Sequence, residues 1–163
     1  PGAEEIRKLV LEGAPERWSP ETELLLFTAA RRDHLERLIL PALAAGQSVI
    51  CDRFADSTRV YQGLRGPDLR QKVDMLHDLM IVREPDLTVL VDMDPEVGLA
   101  RALGRQGTEE RFEQFGADLQ AQMRAGFLDL AQAAPKRYVV VDGARTEDTV
   151  AREIESIVTS RLT

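Results

Sequence analysis

Ser48-Val49-Ile50-Cys51-Asp52-Arg53-Phe54, with Ala55 to Gly63 behind it, reads as a short buried strand whose carboxyl end delivers a carboxylate and a guanidinium side by side. In open parallel α/β sheets, ligands sit beyond the carboxyl ends of the strands, so Asp52 and Arg53 stand where chemistry is usually done. The residues alone allow a plain structural ion pair at a strand end equally well. Cys51 is the single cysteine and cannot form an internal disulfide. Between Ile50 and Asp52 it is expected to be a reduced thiol in the core.

Working outward, the periodicity alternates between helix and strand. Gly2 to Glu12 carries Ile6, Leu9 and Val10 at helical spacing. Ser19-Pro20-Glu21 opens a helix, with Ser19 as cap, Pro20 at the first helical position and acid in the first turn. That helix runs through Leu24 to Leu38, and Pro41 is expected to kink or break it before Gly46 ends it. A helix begins at Asp56, and another runs from Pro67 to about Glu84, with Met75 and Met80 read as core filler. Leu87 to Val91 and Tyr138 to Val141 are continuous apolar runs, as parallel strands buried on both faces should be. Asp94 before Pro95 caps the helix to Ala102; a long helix covers about 112 to 133, and the last opens at Thr146. Three parallel strands with crossover helices make one α/β domain, a doubly wound sheet with helices on both faces.

The formal net charge is −7, from 28 acidic and 21 basic residues. A chain without a basic face is not expected to bind nucleic acid or an anionic membrane non-specifically. A few converging arginines can still build a positive pocket for a small phosphorylated ligand. No apolar run approaches a membrane span and no signal peptide opens the chain, which favours a cytoplasmic location. His34 and His77 have no ligand-spaced partner and read as structural or surface residues. Gly104-Arg105-Gln106-Gly107-Thr108-Glu109-Glu110-Arg111 carries two glycines and spaced arginines. It reads either as a solvated loop or as a mobile basic lid over phosphates.

Several ordered stretches carry a resemblance. Leu24-Leu25-Leu26-Phe27-Thr28-Ala29-Ala30-Arg31, Cys51 to Gly63, Pro85-Asp86-Leu87-Thr88-Val89-Leu90-Val91-Asp92 with Pro95, and Arg111-Phe112-Glu113 resemble bacterial thymidylate kinase, collinearly over essentially the whole chain. The resemblance implies a P-loop kinase-like fold and transfer of the γ-phosphoryl of ATP to thymidine monophosphate (dTMP), with Mg²⁺, by a homodimer. By the same resemblance, Phe27 and Arg31 hold the thymine base and Arg53 grips the monophosphate. Thr58, Tyr61 and Gln62 surround base and sugar, with Tyr61 near the deoxyribose. The resemblance also makes residues of about 101 to 111 a lid, with Arg105, Arg111 and Arg101 available to the ATP phosphates. Asp52 is placed near magnesium-bound waters. Elementary geometry agrees for two of these: Phe27 and Arg31 are four apart, hence on one helix face, where a ring can stack and a guanidinium can reach a carbonyl edge.

The family begins with a strand, a phosphate-cradling loop of the Gly-x-x-x-x-Gly-Lys-Ser/Thr kind, a helix and a second strand. Pro1 to Arg7 corresponds to the part of the family immediately beyond that segment, so the expectation is that the sequence is a piece of a longer protein. Two other functions fit the residues less well. A deoxynucleoside kinase would give Arg53 less to do, and a non-catalytic nucleotide-binding remnant would need no donor cradle.

Overall fold

The computed structural model describes residues 2–12, 17–103 and 117–162. Its contacts fall into two units, Pro1–Glu84 and Pro85–Thr163.

The first unit is built from helices. Helix α1 (Gly2–Leu11) packs against α2 (Pro20–His34). Ser19 caps α2 as its sequence predicts, its Oγ accepting the Thr22 N–H at 3.2 Å, with Pro20 at the first position. Pro41 does not break the chain. A π-helical turn, Leu35–Ile39, precedes it and leads directly into α3 (Leu40–Ala44). The wider turn accommodates a residue that has no N–H to give the helix. Gly46, at φ 73°, then ends the run. The Gln47 N–H reaches the Ala42 carbonyl and the Gly46 N–H the Leu43 carbonyl, a Schellman closure. Helix α4 (Ala55–Gly63) is followed by α5 (Pro67–Leu76), which ends in a second π turn, His77–Ile81.

Two apolar clusters hold this unit. Leu24 of α2 packs with Leu69 and Val73 of α5, and Leu76 joins them. Leu35 and Ile39 pack with Ile81, flanked by Leu43, Val49 and Phe54. A buried side chain of this size contributes about 1.5–3 kcal/mol relative to an exposed one, so these contacts set how the helices sit.

Ser48–Cys51 departs from expectation. It has no ladder partner among the described residues and is not a strand. Val49 turns in to the second cluster while Ile50 is 97% exposed, and Cys51 is exposed too, not a core thiol. An apolar run gives a strand only where another strand pairs with it. Met75 and Met80, expected in the core, are also exposed, because the Leu69–Val73–Leu76 stripe already supplies the buried face of α5.

The second unit holds a two-stranded parallel sheet. Strand β1 (Thr88–Asp92) pairs with β2 (Tyr138–Asp142) in register from Thr88↔Tyr138 to Asp92↔Asp142. Val141 is fully buried, but Val91 and Val140 are exposed, so burial on both faces is not met along the whole of either strand. Parallel neighbours need a long crossover, here containing α6 (Pro95–Leu103) and α7 (Ala117–Ala133). Helix α7 packs on both strands, and α8 (Glu147–Leu162) packs on β2. The expected cap of α6 is present, the Asp94 carboxylate accepting the Glu96 N–H at 2.9 Å. Among the described residues no helix is long and apolar enough to cross a membrane.

Candidate functional site

Helices α2 and α4 of the first unit bring together most of the residues that the sequence singles out. Arg31, in the last turn of α2, is largely buried, and its Nη2 donates to the Phe54 carbonyl at 3.1 Å and to Thr58 Oγ at 2.7 Å. Its guanidinium lies 5.6 Å from the centroid of the Phe54 ring. Burial lowers its pKa to about 10, opposed by the nearby Cys51 and Asp56, so the side chain is still charged at neutral pH. Both bonds use Nη2, and among the described residues the other guanidinium N–H groups carry no hydrogen bond. Phe27 sits one turn earlier on the same face of α2, half-buried.

Along α4, Thr58 and Gln62 are buried and Tyr61 half-buried. The amide oxygen of Gln62 is buried without a hydrogen-bond partner among the described residues. A buried acceptor left unpaired costs free energy until a donor arrives.

Arg53 precedes α4 at φ 64°, in the left-handed region that side chains with a Cβ avoid. Its guanidinium is exposed, and Nη1 donates to the Tyr61 hydroxyl at 2.8 Å. A residue held in this sparsely populated conformation, with a cation presented at the surface, is a common property of ligand sites. Cys51 contributes to the same turn, its Sγ–H donating to the Arg53 carbonyl at 3.3 Å. Asp52 lies exposed beside Arg53.

Helix α4 is anchored from behind by Arg59. That guanidinium bonds Asp56 at 2.7 Å and Glu84 at 2.6 Å, and lies 3.4 Å from Asp74. His77 Nε2 lies 3.0 Å from the same Glu84 carboxylate. Burial would raise the pKa of Glu84, but its bonds to His77 and Arg59 win and hold it at about 2. Sequence reasoning missed this network and also missed Glu23, which is 2% exposed and ion-paired with Arg65. The only trace of Glu23 in the sequence is its register, four residues before Phe27 and eight before Arg31.

The expected lid is only partly covered by the structure. Arg105 and Arg111 lie outside the described residues. Arg101, in α6, donates from Nη1 and Nη2 to the carbonyls of Gly143 and Ala144 at 2.8 and 2.9 Å, which ties the end of α6 to the turn after β2. Asp92, at the end of β1, is held by a two-pronged bond from Arg124 at 2.7 and 2.8 Å, and that guanidinium lowers its pKa.

The family model for thymidylate kinase matches residues 1–154. The chain belongs to the thymidylate kinase family. It is 70% identical to the thymidylate kinase of Ruegeria pomeroyi over 162 residues, which cover 99% of this chain and 77% of that one. The thymidylate kinase of Dinoroseobacter shibae is 66% identical over 94% of this chain and 74% of its own, and that of Caulobacter vibrioides 47% over 99% and 78%. Membership in the thymidylate kinase family brings the P-loop kinase class of fold. The α2–α4 pair and the turn before α4 carry Phe27, Arg31, Arg53, Thr58, Tyr61 and Gln62, with Arg31 bonded to Thr58 and Arg53 to Tyr61.

Proposed function

We propose that the protein phosphorylates dTMP with ATP, giving the diphosphate on the way to thymidine triphosphate. The observation that carries this reading is the 70% identity to a thymidylate kinase across 99% of the chain. Phe27 stacks on the thymine ring, and the Arg31 N–H groups not used by Phe54 and Thr58 face its carbonyl edge. Gln62 offers its amide oxygen to a base N–H, with Thr58 beside it. Tyr61 lies under the deoxyribose while its hydroxyl holds Arg53, which grips the monophosphate with a fixed fork of donors. Arg105 and Arg111 serve the transferred phosphoryl group from the lid, and Arg101 sets where the lid begins.

Mg²⁺ is usually held by one or two carboxylates together with water and substrate phosphates. Asp52, a lone exposed carboxylate adjoining Arg53, fits that mode. The ion would neutralise charge on the phosphates, and Asp52 would hold its water. The reading carries with it a doubly wound sheet and a cytoplasmic setting, where charged nucleotides are kept. It also carries a homodimer: Leu25 on α2 and Met75 with Leu79, four apart at the end of α5, are exposed apolar groups suited to a second copy.

The test is a titration of the protein with dTMP and with thymidine, alongside an assay of phosphoryl transfer from ATP. Preference for dTMP and formation of the diphosphate are expected. Equal or tighter binding of thymidine would instead favour a deoxynucleoside kinase.

A further inference from the structure

Two charged cross-links join α2 to α4, one near each end of the residues that face the nucleotide. At one end Arg31 of α2 bonds Thr58 and the Phe54 carbonyl. At the other, Glu23 in the first turn of α2 is bonded by Arg65, two residues beyond α4. The later residue of α2 meets the earlier part of α4, so the helices run antiparallel. Phe27 lies between the two links on one helix, and Tyr61 and Gln62 lie between them on the other.

We infer that the Glu23–Arg65 ion pair is a positioning pair for the acceptor nucleotide, fixing the register of α2 against α4 so that Phe27 and Arg31 face Gln62 and Tyr61 at the spacing of a base. The inference rests on the proposed dTMP site and assigns work to two residues outside it.

Three observations support it. Glu23 is 2% exposed, and a carboxylate that deep is kept only where a partner compensates its desolvation, so the link is not an incidental surface pair. Glu23, Phe27 and Arg31 follow one another at intervals of four, which puts the link and the base-facing groups on one stripe of α2. The Arg65 N–H bonds the Gln62 carbonyl at 3.1 Å, so the residue that reaches Glu23 is itself tied to Gln62. Lys72 of α5 reinforces the same end of α2 through Glu21, at 3.1 Å. Without the link the two helices sample other registers, the competent one is populated for a smaller fraction of the time, and apparent affinity falls by that fraction.

The experiment is calorimetric titration of Arg65→Ala, Arg65→Lys and Glu23→Gln with dTMP and with thymidine. In Arg65→Ala the dissociation constant for dTMP is expected to rise by about tenfold, the scale of one lost charge-assisted bond, at unchanged stoichiometry. The ratio of thymidine to dTMP affinity should stay as in the wild type, because the pair holds the base-facing side and not the phosphate. Arg65→Lys, which keeps the charge, should recover part of the affinity. A purely structural role would lower the stoichiometry by unfolding some molecules while leaving the dissociation constant alone. That result, or unaltered dTMP binding in Arg65→Ala, overturns the inference. Arg65 is exposed, so its variants report even where Glu23→Gln fails to fold. If the wild-type protein binds no dTMP, the proposed function itself falls, which is a distinct result.

Discussion

Arg53 and Tyr61 form one unit: the guanidinium donates to the phenol oxygen at 2.8 Å and lies 5.4 Å from the ring centroid. Eight residues apart in sequence, they join the phosphate end of the proposed site to the sugar end. Tyr61→Phe keeps the ring under the sugar but removes the bond that aims Arg53. Affinity for dTMP should fall by about two- to tenfold, the worth of one hydrogen bond, with thymidine binding nearly unchanged. Titration with the two ligands checks this, and equal losses for both would show that the hydroxyl does not act through the phosphate.

The backbone at Arg53 gives a second test. Arg53→Ala and Arg53→Gly both remove the guanidinium, and both should lose the preference for dTMP over thymidine. They should differ in stability. At φ 64° glycine is at ease and alanine is not, so the glycine variant should be the more stable of the two by about 1 kcal/mol in denaturant unfolding. Equal stabilities would mean that the left-handed turn carries no strain.

Acid should act through Glu84. Its folded pKa, about 2, lies below the ordinary 4.5, because His77 and Arg59 bond the ionised form more strongly than burial disfavours it. A depressed carboxylate stabilises the fold above its unfolded pKa, and that contribution drains away as pH falls from about 4.5 toward about 2. Glu84→Gln should be less stable than the wild type at neutral pH and should show a shallower loss on acidification. Parallel acid profiles in urea unfolding would remove Glu84 from the account.

Gly143 is a packing constraint in the second unit. A Cβ there would meet Val91 Cγ1 at 2.7 Å and the Asp92 carbonyl at 3.1 Å, while the Gly143 N–H already bonds that carbonyl at 2.7 Å. Gly143→Ala should cost about 1–3 kcal/mol by overpacking the turn that also receives Arg101. Thermal unfolding measures it, and an unchanged midpoint would show that the turn gives way freely.

The parts of the molecule legible in sequence are those set by local chemistry. Ser19-Pro20 and Asp94-Pro95 announce helix starts because a side-chain acceptor and a fixed φ act within one turn, and Gly46 announces an end for the same reason. The Phe27–Arg31 stripe is legible through its spacing. Ser48–Cys51 reads falsely as a strand because pairing is a property of two segments, and one segment cannot declare its partner. Met75 and Met80 look like core on composition, yet which side of α5 is buried depends on where Leu24 sits. Arg59 and the Glu23–Arg65 pair are invisible for the same reason: Glu23 and Arg65 are 42 residues apart, and no local pattern couples them.

Arg59 also bears on how this sequence can change over time. One guanidinium serves Asp56, Glu84 and Asp74, and Glu84 in turn serves His77. A substitution at any one corner alters what the others are worth, so effects at these positions will not add. The cost of each single step here therefore depends on which partners are still in place. Lineages that replace Arg59 should be found to have replaced its carboxylates too, and the back of α4 should diverge as a block while the exposed helix faces vary one residue at a time.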